Sequence, residues 1–195
     1  MISKKLIAVG AIVVVLLILV SIVWGSYNSL VSKDEGVKKF WGDVQVQYQR
    51  RVDLIPNLVN VVESYAGFEK SVITEVTKLR TDWQREAKNP DLEARVEAAN
   101  KLESALSKLI FTAENYPDLK ASQNFLSLQD SLAETENMVS TARTRFNEAV
   151  REYNTVVRSF PSNIIAGWFG FGQKTPFEAI TAGAENAPKV DINIK

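Results

Sequence analysis

The sequence predicts an all-α protein, in which an N-terminal transmembrane helix precedes an up-and-down bundle of four long helices and an irregular C-terminal tail. Three observations lead to this fold class. A stretch of 19 residues near the N-terminus carries no charge. Apolar residues then recur at helical spacing, and alternation typical of a strand is confined to Val190–Ile194. The predicted boundaries are 1–25 for the anchor, 26–160 for the bundle and 161–195 for an aromatic-rich segment and extended tail.

The uncharged stretch from Leu6 to Trp24 has the length of a membrane-spanning helix. At ~1.5 Å per residue it extends about 28 Å, close to the roughly 30 Å of a bilayer's hydrocarbon core. Trp24 and Tyr27 stand where aromatic side chains line the membrane–water interface. A cleaved signal peptide is the alternative, but its apolar core is usually ~7–15 residues long, and here only Val23 and Gly25 resemble a cleavage site. We therefore expect an uncleaved, single-pass anchor in the cell membrane.

The charges that flank this span bear on its orientation. Lys4 and Lys5 precede it directly, which favours a cytoplasmic N-terminus. On the other side the first basic residue is Lys33, nine residues beyond Trp24. This distribution favours a helical domain outside the cytoplasm, periplasmic or extracellular, and leaves the opposite topology open.

A heptad pattern predicts the last helix, over residues 122–160. Every seventh residue from Phe125 to Phe160 is apolar and large, whereas the interleaved positions are mostly small. Such a coiled-coil-like seam is typical of a long helix packed closely against its neighbours. Pro161 is expected to end this helix, because proline cannot continue the backbone hydrogen-bond ladder.

Comparable apolar stripes predict the other three helices of the bundle, over residues 26–66, 68–88 and 91–116. Gly67 separates the first two. Asn89-Pro90-Asp91 combines turn and capping residues and is expected to begin the third.

The composition excludes several chemistries, because the 195 residues include neither histidine nor cysteine. The chain therefore has no imidazole base or zinc ligand, no thiolate nucleophile and no disulfide. Lysine plus arginine total 23, as do aspartate plus glutamate, and removing residues 1–24 leaves 21 basic and 23 acidic residues. This balance gives no basic footprint for a nucleic acid. We expect no enzymatic activity, no cofactor and no metal site.

Two pairs of carboxylates have the spacing that an acid–base or metal site on a helix uses. They are Glu93 with Glu97 and Glu148 with Glu152. Because basic residues such as Arg151 lie among them, we interpret both pairs as parts of solvated, ion-paired helix faces.

Arg51 is a charged residue at a core-facing position of the first predicted helix, beside Arg50 and near Asp53. A charge that faces a core needs a partner. Polar residues recur along the last helix, at Arg143, Asn147, Arg151 and Asn154. We interpret them as a structural polar layer in preference to a ligand site. Pro56 is expected to bend the first helix near Val52.

The segment around Arg51 resembles the signature of the LemA family, and the resemblance extends over nearly the whole chain. Val52 stands where the family usually has alanine. The matching blocks are Gln49–Val59, Tyr116–Ala121, Asn124-Phe125, Thr135-Glu136-Asn137 through Arg143, Phe146-Asn147, Tyr153-Asn154, Phe160-Pro161 and Gly183–Val190, with Tyr27-Asn28 after the anchor. The signature and polar-layer residues singled out are Arg50, Arg51, Asp53, Pro56, Asn57, Asn147 and Asn154.

The resemblance implies a membrane-anchored helical bundle with no established catalytic activity and no catalytic residues to carry over. In some members the short N-terminus has been suggested to face outside, opposite to the orientation that the flanking charges favour here. A magnetosome-associated branch of the family is linked to membrane invagination, which by analogy raises the expectation of a role in membrane shape or complex assembly.

We therefore expect a structural or scaffolding protein of the cell envelope. Its predicted partners are the lipid bilayer, proteins that the sequence does not identify, and a second copy of the chain. The alternative is a regulatory adaptor that binds a membrane enzyme, such as a protease, through the distal end of the bundle near Tyr65–Lys70 and Tyr116–Gln123.

The segment 161–171 is the most aromatic part of the chain outside the anchor. The predicted helix lengths, at ~1.5 Å per residue, leave Phe160 about 11 Å above the level where the bundle begins. The segment can then lie at the membrane surface, or its apolar residues can cap the lower core of the bundle. The proposed membrane-proximal residues are Ile164, Trp168, Phe169 and Phe171; the capping alternative involves Ile164, Trp168 and Phe171.

Overall fold

The structure is a computed structural model that describes residues 4–65 and 67–177, with side chains from Val9 onward. Over these residues it contains helices and no strand, so the predicted all-α class is confirmed. The last block that matches the family pattern, Gly183–Val190, and the alternating residues Val190–Ile194 lie outside the described residues. The helices are α1 (Lys4–Glu63), α2 (Lys70–Glu86), α3 (Leu92–Ala113), α4 (Pro117–Lys120), α5 (Gln123–Arg158) and α6 (Ser162–Phe169).

The predicted anchor and first bundle helix form one element, because α1 continues without interruption from Lys4 to Glu63. The helix also passes through Pro56, so the missing backbone N–H of this residue does not end it. The short helices α4 and α6 were not predicted. Each is too short for a hydrophobic period to become visible in the sequence.

The apolar side chains of α1 from Val9 to Trp24 are exposed except Val23, which is half-buried, and Trp24 is 72% exposed. The mean hydropathy of the best window in this helix is 2.7, and none of that window is buried inside the protein. Exposed aliphatic side chains in such a run are unfavourable in water and favourable in hydrocarbon. Helix α1 thus fits a single membrane crossing in its N-terminal part.

The described residues divide into two compact units, and the first comprises the chain up to Val44 together with Ala142–Pro176. In this unit the part of α1 beyond the span forms a core with the last turns of α5 and with α6. Trp41 packs edge-on against Phe146, with ring centroids 5.6 Å apart. The core consists mainly of Leu30, Val37, Trp41, Val44, Phe146, Val150, Tyr153, Ile165 and Ala166.

The second unit comprises Gln45–Thr141 together with Phe177. Four long helical segments build it, one each from α1, α2, α3 and α5, together with the short helix α4, and the short connections between consecutive helices are typical of an up-and-down bundle. Tyr48 of α1 stacks on Trp83 of α2 with 4.8 Å between ring centroids. The best-buried core residues are Tyr48, Val52, Ile55, Leu58, Val62, Val76, Trp83, Ala99, Leu102, Leu106, Leu109, Ala113, Leu119 and Val139.

The connections of this unit agree with the predicted turn chemistry. Asp91 caps α3, and its Oδ1 accepts a hydrogen bond from the backbone N–H of Glu93 at 3.0 Å. Gly67 lies between α1 and α2 with a φ of +93°, a conformation that side chains disfavour. Its carbonyl accepts a hydrogen bond of 2.7 Å from the Tyr116 hydroxyl, and the Tyr116 ring stacks on Phe68 at 5.0 Å.

The heptad seam of α5 is buried as predicted except at its end. The large residues from Phe125 to Tyr153 have exposures of 5% or less, whereas Phe160 is 81% exposed. Helix α5 ends at Arg158, before Phe160, so the helical register no longer directs that side chain towards the core. The inclusion of Phe160 in the seam was therefore wrong.

Replacing Phe146 by alanine tests the core of the first unit. Because the Phe146 ring is fully buried against Trp41, we expect Phe146→Ala to lower the free energy of unfolding by about 3–5 kcal/mol. Chemical denaturation in a mild detergent measures this quantity. The matched control is Phe111→Ala, which removes an exposed ring and should change stability by no more than about 0.5 kcal/mol. Equal effects of the two substitutions would contradict this description of the core.

Candidate functional site

A buried cluster of charges centred on Arg51 connects three helices of the second unit. Arg51 lies on α1 and is 7% exposed. Its Nη1 is 2.9 Å from Oε1 of Glu103 on α3, and the same nitrogen pairs with Oε2 of Glu136 on α5. Two carboxylates on one guanidinium compensate a charge that the helical register places in an apolar stripe.

The neighbours of Arg51 explain why its partners come from other helices. Tyr48 and Ile55, three residues before and four residues after it on α1, are buried core residues, so Arg51 shares their face. Its own helix therefore offers no carboxylate on that side. Sequence reasoning identified the need for a partner but considered asparagines and arginines of the last helix, whereas the structure brings Glu103 and Glu136 to it. Only a carboxylate compensates the positive charge of Arg51. This requirement could have directed the prediction to Glu103 and Glu136.

The other signature residues of α1 lie outside the core. Arg50, Asp53, Pro56 and Asn57 are all exposed. Arg50 donates a weak hydrogen bond to the Met138 sulfur at 3.6 Å, and Asp53 accepts one of 2.7 Å from Gln49. The signature segment thus combines one inward charge with an outward polar face.

Asn154 holds the segment that follows α6 in the first unit. Its Nδ2 donates to the Lys174 carbonyl at 2.8 Å, and its Oδ1 accepts from the Lys174 backbone N–H at 2.8 Å. The Tyr153 hydroxyl donates to the carbonyl of Gly172 at 2.9 Å. Because these bonds go to backbone groups, they hold residues 172–174 in place without using the side chains of those residues. We call this arrangement the Asn154 clasp. Asn147, the other predicted polar-layer residue of α5, is half-buried in the same unit.

An ion pair reinforces the Asn154 clasp. Lys174 Nζ lies 2.6 Å from Oδ1 of Asp34 and 5.1 Å from the centroid of the Tyr153 ring, and Lys38 Nζ lies 2.9 Å from Oδ2 of Asp34. Burial raises the pKa of Asp34, but hydrogen bonds and charge from Lys174 and Lys38 outweigh it and hold that pKa below 3.8. Burial, together with the charge of Asp34, raises the pKa of Tyr153, which keeps its hydroxyl a donor.

Helix α6 buries one face and exposes its largest side chains. Ile165 and Ala166 are buried, whereas Ile164 is 44% and Trp168 72% exposed. The interpretation in which Ile164 and Trp168 cap the core is therefore wrong, because the next residues along the helix, Ile165 and Ala166, occupy that place. We call the exposed residues Phe160, Ile164, Trp168 and Phe169 the α6 apolar face.

The aromatic end of this segment contacts α1 close to the apolar span. The Tyr27 ring lies 4.8 Å from the Phe169 ring and 6.0 Å from the Phe171 ring, measured between centroids. Tyr27 is three residues beyond Trp24, the last residue of the uncharged stretch. The α6 apolar face and the apolar span are thus neighbours within the first unit.

One member of each carboxylate pair considered for catalysis makes a surface ion pair. Glu97 lies 2.6 Å from Lys101 Nζ, and Glu152 lies 2.6 Å from Lys33 Nζ. Among residues 4–65 and 67–177, no group of three or more acidic side chains is arranged to hold a metal ion.

Comparison with known proteins gives consistent matches. Residues 40–192 match the model of the LemA family. The chain is 24% identical over 180 residues to magnetosome protein MamQ 1 of Paramagnetospirillum magneticum, covering 80% of this chain and 66% of that protein. It is 25% identical over 146 residues to protein LemA of Metamycoplasma hominis, covering 74% of this chain and 62% of that one. The chain thus spans about two thirds of the length of these relatives.

Substitution of Arg51 tests the buried charge cluster. Arg51→Met leaves the part-buried carboxylate of Glu103 without its cation, so we expect the free energy of unfolding to fall by about 3–5 kcal/mol. The adjacent Arg50→Met is the matched control and should cost no more than about 0.5 kcal/mol, because Arg50 is exposed. Adding Glu103→Met and Glu136→Gln to Arg51→Met should recover most of the loss. Similar costs for the two arginine substitutions would show that Arg51 is not held as described.

Acidification tests the Asn154 clasp through Asp34. The pKa of Asp34 is lowered below 3.8 by the fold, so its charge stabilises the folded state above that pH. This contribution is lost as the pH falls through the folded-state pKa. Between about pH 5 and pH 2, the wild-type chain should therefore lose more stability than Asp34→Asn, measured by denaturant midpoints. Asp43→Asn, which changes an exposed aspartate of the same helix, should keep the wild-type slope. A wild-type slope in Asp34→Asn would refute the role given to this carboxylate.

Proposed function

Because this chain belongs to the LemA family, we propose that it is a non-catalytic structural protein of the cell envelope, anchored in the membrane and assembling complexes or shaping the bilayer. The family match covers residues 40–192, which include the Arg51 cluster and the Asn154 clasp. The names of two of its relatives identify them as magnetosome proteins. A role in organising a membrane compartment is therefore the natural starting point.

The observation that supports this proposal most is the absence of a linker between the apolar span and the folded first unit. Trp24 is 72% exposed, and Leu30, six residues later on the same helix, is fully buried. Six residues of α-helix extend only about 9 Å. An anchor joined so directly holds the first unit at a defined distance from the bilayer. A flexible tether, which would suit a diffusing enzyme, has no place in this part of the chain.

Charged side chains that could act in a reaction are instead paired with other side chains of the protein. Arg51 is paired with Glu103 and Glu136, and Asp34 is paired with Lys174 and Lys38. If one of these groups took part in a reaction, its partner would be left as an uncompensated charge that is buried or half-buried. These pairs are better suited to holding helices together than to transferring protons.

A structural protein needs a contact surface, and we place it on the outward polar face of α1. Arg50, Asp53 and Asn57 are exposed at helical spacing and belong to the family signature. The stability of the bundle accounts for the presence of Arg51 in the family signature, but it does not account for the presence of these three exposed residues. They are suited to binding a second copy of the chain or another envelope protein.

Cross-linking from this face tests the assembly role. The chain lacks cysteine, so Asn57→Cys introduces a unique thiol. We expect a thiol-specific bifunctional reagent to give discrete products in native membranes, and light scattering of the purified chain in mild detergent to show an assembly. Lys101→Cys, on an exposed position of α3, is the control and should give fewer products. A monodisperse monomer together with no discrete product from either position would contradict the proposal.

The same Asn57→Cys variant tests topology. The flanking charges favour a bundle outside the cytoplasm, so a membrane-impermeant thiol reagent should label this cysteine in whole cells. Labelling only after the membrane is permeabilised would establish the opposite orientation and move the assembly role to the cytoplasmic side.

A second candidate function, a regulatory adaptor for a membrane enzyme, is favoured by a cavity at the α1–α2 connection. This cavity of about 480 Å³ is open to solvent and lies beside the Tyr116–Gly67 hydrogen bond. Its lining combines opposite charges with apolar surface, and its volume lies in the range of ligand pockets, about 300–1,000 Å³. The lining residues are Glu63, Tyr65, Gly67, Phe68, Lys70, Ile73 and Thr74.

Filling this cavity distinguishes the adaptor from the assembly role. Thr74→Trp adds bulk at an exposed position of the lining and should abolish a change in enzyme activity that the wild-type chain causes in the same membranes. Thr77→Trp, an exposed position of α2 outside the lining, is the matched control. If Thr74→Trp regulates the enzyme as well as the wild type does, the adaptor function is excluded.

A further inference from the structure

We propose that α6 is an interfacial helix, which inserts its apolar face into the headgroup region of the same bilayer that α1 crosses. The occupant of this face is lipid. The inference does not depend on the assembly role, since a membrane-seated α6 is compatible with either function above.

The first step of the argument is the distribution of side chains around α6. The helix is eight residues long, and two of its residues, Ile165 and Ala166, satisfy its packing against the first unit. Ile164 and Trp168, one helical turn apart, project away from that contact with exposures of 44% and 72%. Phe160, just before the helix, is 81% exposed. Four large exposed apolar side chains thus lie within ten residues, a local concentration of apolar surface that water does not favour.

The second step is the position of this patch relative to the anchor. Tyr27 contacts both Phe169 and Phe171, with centroid separations of 4.8 and 6.0 Å. Tyr27 is less than one helical turn beyond Trp24, which is at the end of the apolar span. Residues at this depth meet the headgroups, where tryptophan and tyrosine are enriched in membrane proteins. The α6 apolar face therefore continues the lipid-exposed surface of α1.

The third step is the charge of the surrounding chain. From Tyr153 to Phe177 the sequence contains two basic residues, Arg158 and Lys174, and no acidic residue. Lys174 is paired with Asp34, whereas Arg158 is exposed in the last turn of α5, two residues before Phe160. An exposed arginine beside aromatic side chains suits the phosphate level of a bilayer, where its stem can lie on apolar surface. A carboxylate at the same place would be repelled by anionic lipid.

The four tryptophans of the chain provide a direct test. Trp41 and Trp83 are buried in the protein, whereas Trp24 and Trp168 are each 72% exposed. The full-length chain is reconstituted into phosphatidylcholine–phosphatidylglycerol vesicles with and without brominated acyl chains, which quench tryptophans that touch lipid. Quenching is compared among the wild type, Trp24→Phe, Trp168→Phe and the double variant.

We expect each single substitution to remove part of the quenching and the double variant to show almost none. The quenching lost in Trp24→Phe measures lipid contact at the end of the apolar span, so insertion of α1 and docking of α6 are measured separately. The proposal is overturned if Trp168→Phe is quenched as strongly as the wild type and the double variant matches Trp24→Phe. Both substitutions replace an exposed ring by another ring, so the fold should be preserved.

A pair of neighbouring cysteines gives an independent readout. Ile164→Cys lies on the α6 apolar face, whereas Asn163→Cys is an exposed polar position on the flank of the same helix. With a nitroxide attached in vesicles, position 164 should be relaxed more by oxygen than by a water-soluble nickel chelate, and position 163 should show the reverse order. A Leu17→Cys label in the apolar span marks the hydrocarbon value. Dominant relaxation by the nickel chelate at both α6 positions would exclude membrane docking.

Discussion

One helix has to be stable in two solvents, and the structure of the first unit follows from that constraint. Helix α1 carries exposed apolar side chains, which suit hydrocarbon, up to Trp24, and a stripe of side chains buried in protein from Leu30 onward. Every apolar side chain before this transition must face outward, and one stripe after it must face inward. The change takes place within two helical turns, so the elements that cover the inward stripe begin directly beyond the apolar span. The contact between Tyr27 and the aromatic residues that end α6 occurs at this level.

Beyond the anchor, the fold depends on compensating a few polar groups that helical packing removes from water. In the second unit, Arg51 sits in a core stripe and obtains carboxylates from two other helices. In the first unit, Asn154 bonds to both backbone groups of Lys174, whose ammonium group binds Asp34. Each arrangement joins segments distant in sequence. Loss of one partner leaves the other as an unpaired polar group or charge that is at least partly removed from water, which is unfavourable. They therefore give specificity to helix contacts that apolar packing alone leaves loosely determined.

The surfaces that remain outside these cores differ in character, which bears on function. The outward face of the α1 signature is polar and charged, and suits contact with another protein in water. The α6 apolar face is rich in aromatic side chains and lies in a stretch, Tyr153 to Phe177, that has no acidic residue in the sequence, so it suits the headgroup region of a membrane.

The sequence by itself determined the four long bundle helices, the apolar span, the break at Gly67 and the cap at Asp91, because periodicity, length and turn chemistry are local properties. It also identified Arg51 as a charge in need of a partner and Asn154 as a residue of interest. Only the tertiary structure decided that Glu103 and Glu136 pair with Arg51 and that Asn154 binds backbone. It also decided that Ile165 and Ala166, not Ile164 and Trp168, face the core. These outcomes depend on which side of one helix meets which side of another, and side-chain pairing across such contacts is not encoded in the period of either helix.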